Sequence, residues 1–264
     1  MPSASDNATI TNSGTYAVTI NTAASVSNVL LGAPVGRQTL ALPGGTLALS
    51  GTATSPGGGF ISMAGGTIKG GTIKGTNTLV ISGQSAGGTL DGVALNLPMG
   101  VELGQNVTVT AGLTLNSVMT IASGRVHFMG NQTLSGTGEV VNSGNFNIGL
   151  GTLDALGSTL TIGPGLTLHG RGGSIQPDSG TIINQGTIFS DVTGGTIYVG
   201  RSGSSFTNIG TLAVTNGATL TIQGDTSSDR IRRGDKDPRP ATTQGARILN
   251  ARLSSKNSII ILTQ

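Results

Sequence analysis

In Thr181-Ile182-Ile183-Asn184-Gln185-Gly186-Thr187-Ile188 the last five residues return further along the chain as Asn208-Ile209-Gly210-Thr211-Leu212. A glycine, a threonine, an aliphatic residue, one further residue and another aliphatic make up the core of the repeat. The same cadence opens as Gly45-Thr46-Leu47-Ala48-Leu49. It recurs at Gly66-Thr67-Ile68, Gly71-Thr72-Ile73, Gly88-Thr89-Leu90, Gly151-Thr152-Leu153 and Gly195-Thr196-Ile197. Short alternating strands broken by glycine turns at a longer period describe a chain wound into stacked β-coils.

Working outward, alternation of period two dominates, as in Leu40/Leu42, Val93/Leu95/Leu97, Val107/Val109, Phe146/Ile148, Leu160/Ile162, Ile197/Val199 and Leu220/Ile222. One side of each strand faces a core and the other faces water. Threonine, serine and asparagine hold the outward positions, where β-branched threonine suits a pleated surface. Strands of three to six residues are expected, separated by glycine, Asn-Gly or Pro-Gly turns. Coils of about 20–24 residues fit a three-sided parallel β-helix of about ten coils over residues 1–224. At ~4.8 Å per rung that makes a rod of about 50 Å. Asn142-Ser143-Gly144 precedes Asn184-Gln185-Gly186 by two whole turns of about 21 residues. Stacked asparagines form hydrogen-bonded ladders in such arrays. A β-sandwich or barrel is the rival, but aromatic residues are only 3% of the chain.

Composition narrows the functions. The 264 residues include no cysteine, which removes disulfides, thiolate metal sites and cysteine nucleophiles. No apolar run approaches the roughly 18 residues of a membrane-spanning helix. Residues 1–224 carry six basic and seven acidic side chains, whereas residues 225–264 carry eight and four. The excess of positive charge therefore belongs to the tail, and no nucleic-acid partner is expected of the body. Alternation stops at Asp225 and resumes only in Ile259-Ile260-Ile261-Leu262. Residues 225–264 are thus expected to be a disordered or foreign basic tail, with a C-terminal cap or linker as the alternative. Met1-Pro2-Ser3-Ala4-Ser5-Asp6 has no apolar core of a signal peptide. Either the protein is cytosolic or the chain is a piece of a longer exported protein, and the second is expected because the repeat starts almost at once.

Gly14-Thr15-Tyr16-Ala17-Val18-Thr19-Ile20, Leu90-Asp91-Gly92-Val93-Ala94-Leu95-Asn96, Gln132-Thr133-Leu134-Ser135-Gly136-Thr137-Gly138, Thr159-Leu160-Thr161-Ile162-Gly163-Pro164-Gly165 and Ile183-Asn184-Gln185-Gly186-Thr187-Ile188 carry a resemblance. They look like the repeats of large secreted bacterial surface proteins of the filamentous-haemagglutinin and autotransporter-adhesin type. The resemblance covers roughly residues 7–224. It implies a right-handed β-solenoid, export, and a non-catalytic structural role at the cell surface or in the matrix. Implied partners are cell-surface glycans or neighbouring solenoid chains, with end-to-end self-association. It supplies no catalytic, cofactor or metal residues, and none is assigned.

Chemistry-bearing residues are few. His127 and His169 are separated by the same interval as Asn142 and Asn184. Two whole coils would place the histidines on one face about 10 Å apart, too far to share a zinc ion. A polysaccharide-active β-helix would need clustered carboxylates, and a glycosidase pair must sit about 5–9.5 Å apart. Asp154, Asp178 and Asp191 are the candidates, with Arg171 and Arg201. Asp154 and Asp178 are spaced as Asn184 and Asn208 are, which would stack them on adjacent coils, while Asp191 would fall on another face. The tandem Gly65-Gly66-Thr67-Ile68-Lys69-Gly70-Gly71-Thr72-Ile73-Lys74-Gly75 is either a basic spot for anionic glycans or two strands with lysines in water. Thr-x-Thr pairs stand at Thr9/Thr11, Thr52/Thr54, Thr76/Thr78, Thr108/Thr110, Thr159/Thr161 and Thr219/Thr221. Their intervals are too irregular for the ladder of an ice-binding solenoid. Arg233-Gly234-Asp235 is a chance tripeptide in a basic tail.

Overall fold

The computed structural model describes residues 3–81, 87–144, 152–227, 247–248, 251–254 and 260–262. The chain is all-β and winds into a parallel β-solenoid of about nine turns. Asn7–Ile10, Tyr16–Thr19 and Ala23–Val26 are the first rungs of three faces. Each pairs in parallel with a strand one coil on, respectively Asn28–Leu31, Gln38–Leu42 and Thr46–Leu49. The same pairing continues up the three faces to Thr219–Ser227.

Coil length varies more than the sequence pattern suggests. The step to the next coil is 20 residues from Asn96 to Asn116, 24 from Asn184 to Asn208 and 27 from His127 to Asp154. The chain makes about nine turns, close to the count of about ten that the pattern suggests. Strands also outrun the expected three to six residues. Gly88–Asn96, Thr167–Asp178 and Thr196–Asn208 run round corners from one face to the next. In the first of these the register shifts between Asp91 and Val93, at Gly92, whose φ is 65°.

Parallel stacking puts like residues over like. Leu47, Ile68, Leu90, Val109, Phe128 and Ala155 form one inward column of the third face, each at most 2% exposed. Burying such a side chain contributes about 1.5–3 kcal/mol. Phe128 lies beneath Ala155, so the one large ring is offset by the smallest side chain of the column. The alternating positions Leu40/Leu42, Val93/Leu95/Leu97, Val107/Val109, Leu160/Ile162, Ile197/Val199 and Leu220/Ile222 are all buried. Phe146/Ile148 lies outside the described residues.

The outward positions stack as well. Thr46, Thr67, Thr89 and Thr108 form a column over four successive coils of the third face. On the second face Thr167, Thr187 and Thr211 do the same.

The compositional boundary at residue 224 falls inside the strand Thr219–Ser227. Beyond it, Arg247–Ile248, Ala251–Ser254 and Ile260–Leu262 run antiparallel to strands of the last coil. They pair with the first face at Thr226–Ser227, the third at Thr219–Ile222 and the second at Leu212–Val214. Arg233-Gly234-Asp235 lies outside the described residues.

Candidate functional site

The strand Thr152–Leu156 carries Asp154 on the third face, between His127 of the coil before and Gln176 of the coil after. His127 thus interrupts the threonine column above Thr108. Nδ1 of His127 donates to Oδ1 of Asp154 at 2.7 Å. The Asp154 side chain is 1% exposed and that of His127 16%. Oδ2 of Asp154 is buried without a hydrogen-bond partner among the described residues. Burying a carboxyl costs free energy unless it is hydrogen-bonded, and His127 supplies such a bond.

His169 sits on the second face, not on the face of His127. Its rung neighbours are Val141 and Phe189, whereas those of His127 are Thr108 and Asp154. The interval between the two histidines is therefore not two whole turns. His169 donates from Nδ1 to Oδ2 of Asp191 at 3.0 Å, and Gly170 N–H donates to the other oxygen at 3.1 Å. Nε2 lies 3.6 Å from Oε2 of Glu139, one coil earlier. The imidazole stacks on Phe189, with centroids 4.9 Å apart and planes 5° from parallel. Glu139 and Phe189 escape the sequence reading. Their one signal is the shared outward parity of Glu139/Val141, Thr167/His169 and Thr187/Phe189, which register alone converts into proximity.

Asp178 ends the strand Thr167–Asp178, and Ser179 turns the chain in the left-handed region at φ 64°. Arg201, in the strand Thr196–Asn208, donates from Nη1 to Oδ1 of Asp178 at 2.6 Å. Both side chains stay in water, at 52% and 41% exposed. Between Gly200 and Ser205 the register with the next coil breaks. A polar groove of about 500 Å³ opens there, at the corner between the third and first faces, lined by Asp178, Ser179, Arg201, Ser202, Ser204 and Ser205.

The structure thus separates the three candidate aspartates into different partnerships. Asp154 stacks on Gln176 and Leu156 on Asp178, so the two aspartates lie two residues apart along the face. Asp191 is held on the second face by His169. Arg201 joins Asp178, while Arg171 is exposed and forms no ion pair with an aspartate among the described residues. Lys69 belongs to the third face, in a column with Ala48 and Asp91, and Lys74 to the first, beside Thr54 and Asn96. The two lysines point into water on different faces and make no common basic spot. Lys69 Nζ lies 3.4 Å from Asp91.

The buried polar ladder expected at Asn184 and Asn208 is present, with Nδ2 of Asn184 donating to Oδ1 of Asn208 at 2.7 Å. Asn142 is not its third member. It lies on the second face between Ile121 and Gly170, and its Oδ1 is buried without a partner among the described residues.

Among the described residues no three His, Asp or Glu side chains are placed to hold a metal ion, and no helix is long and apolar enough to cross a membrane. No protein-family model matches the chain, and no curated protein or solved structure matches it either.

Proposed function

We propose that this chain is a non-catalytic structural segment of an exported, adhesin-like bacterial surface protein. Its outer faces contact glycans or neighbouring solenoid chains. The observation that supports this reading is the dispersal of the acidic groups. Asp154, Asp191 and Asp178 each hydrogen-bond their own basic partner at a different place, while columns of short hydroxyl side chains cover the faces between them. Stability in such a stack is a sum over neighbouring coils, and hydroxyl-lined faces suit many weak polar contacts.

One observation favours a polysaccharide-active enzyme instead. Glu139 and Asp191 approach the imidazole of His169 from two sides, so two carboxylates flank one proton-carrying group. An ice-binding face has less support. Beside the threonine column runs a second outward column of Ala48, Lys69, Asp91 and Thr110, whose ion pair breaks the run of hydroxyls.

A glycan array that includes acidic polysaccharides, followed by absorbance of unsaturated products and reducing-sugar release on every hit, tests the proposal. Binding without turnover is expected. Turnover lost in Glu139→Gln or Asp191→Asn would replace it with the enzyme reading.

A further inference from the structure

We infer that the corner groove between Asp178 and Arg201 is a binding subsite for a neutral, hydroxyl-rich glycan unit. This rests on the adhesive reading above and names the place and ligand class it leaves open.

The geometry of the groove sets it apart from the regular faces. Where the ladder is regular, outward side chains rise in columns, as Thr46, Thr67, Thr89 and Thr108 do. Here the register breaks between Gly200 and Ser205, where residues 201–204 stand against a single residue of the next coil. A break of this kind re-aims side chains that a regular ladder would hold apart. Gly200 has φ +77°, and a Cβ there would lie 2.1 Å from the carbonyl oxygen of Gln223. Only glycine fits this bend. On the coil before, Ser179 holds a left-handed conformation that a non-glycine residue adopts at a cost, and such residues gather at binding sites. Irregularities on two successive coils thus border one groove.

The lining selects the ligand. Asp178 and Arg201 carry opposite charges and already neutralise one another at 2.6 Å. A charged ligand would have to displace one of them and leave it uncompensated. A neutral polyol need not. Its hydroxyls donate to the carboxylate and accept from the guanidinium, and the hydroxyls of Ser202, Ser204 and Ser205 do both. A volume of about 500 Å³ lies within the range of small-molecule sites. The named lining carries no aromatic ring for a sugar to stack on, so a single subsite binds weakly and gains from repeated units on one polymer.

The test uses the whole chain with malto-, cello- and manno-oligosaccharides and, as the acidic comparison, oligogalacturonate. Binding is read by saturation-transfer NMR and titration calorimetry. The wild type should bind a neutral oligosaccharide. Arg201→Ala and Asp178→Asn should each weaken it about tenfold or more, with circular dichroism unchanged, and Lys69→Ala should leave it intact. If the wild type binds neutral sugars and both groove variants bind equally well, the subsite is overturned and the adhesive reading stands. If only oligogalacturonate binds, the assignment to a neutral ligand is overturned. If no sugar binds, the subsite and the glycan-contacting part of the adhesive reading fall together.

Discussion

Asn184 and Asn208 stack inside the solenoid one coil apart, the side-chain amide of the first donating to that of the second at 2.7 Å. Each amide also donates to the carbonyl two residues on, Asn184 to Gly186 at 3.1 Å and Asn208 to Gly210 at 2.9 Å. The Asn-x-Gly repeat therefore does two things. It turns each chain out of the first face and ties successive turns together. Asn208→Ala removes the acceptor for a buried donor and should cost about 1–3 kcal/mol. Urea unfolding with hydrogen exchange read at residues 184–210 checks it. Thr187→Ala, on the outer surface of the neighbouring face, should change stability by less than about 0.5 kcal/mol.

His127→Thr extends the threonine column by one rung but removes the hydrogen bond that His127 makes to Asp154. Leaving the buried Asp154 carboxyl without that hydrogen bond costs about 1–3 kcal/mol. The double variant His127→Thr/Asp154→Thr continues the column without a buried carboxyl. It should recover most of the loss. Thermal unfolding of the two variants side by side decides the point, and equal destabilisation would refute it.

Gly70 and Gly71 are both left-handed, at φ 69° and 68°. At Gly71 a Cβ would stand 2.6 Å from the Gly51 carbonyl and from the Leu49 Cβ. Gly104 has a similar φ of 75° with nothing within 4 Å. Gly71→Ala should therefore lose clearly more stability than Gly104→Ala, whose cost is the backbone strain alone, about 1 kcal/mol. Denaturant midpoints measure the difference.

Asp6 accepts from the backbone N–H of Ser3 at 2.7 Å and from its hydroxyl at 3.0 Å. The backbone hydrogen bond first, and the hydroxyl second, hold its carboxyl below the ordinary value of 3.8. A carboxyl depressed in the folded state stabilises above its unfolded value and loses that contribution as pH falls through the folded one. The turn at residues 3–6 should therefore loosen only below about pH 4. Amide shifts of residues 3–6 followed by NMR from pH 6 to 2 test this. Asp6→Asn should remove the transition.

Alternation places almost every core side chain, because period two is a property of single strands and needs no knowledge of the coil. The asparagine pair is legible because one intact repeat of 24 residues separates its members. Proximity across coils is not legible elsewhere. The 27-residue step from His127 to Asp154 matches none of the repeats, since corners absorb extra residues without disturbing the faces. The interval shared by His127/His169 and Asn142/Asn184 therefore misleads twice, suggesting one face where the structure has two. The interval from Asp154 to Asp178 misleads in the same way, because the local step on that face is two residues shorter. The groove at Arg201 adjoins a register break within one strand, which leaves no periodic trace in sequence.

The faces, the buried pairs and the corner groove all depend on the register that stacks Thr46, Thr67, Thr89 and Thr108 in one column. The chain has no cysteine, so Thr46→Cys/Thr108→Cys can be spin-labelled without background. The measurement is the dipolar distance between the two labels. Three rungs separate the sites, so the backbones should lie about 14 Å apart, narrowing by ~4.8 Å when the first label moves to Thr67. A distance beyond about 30 Å, or one that does not shorten with that move, would contradict this register.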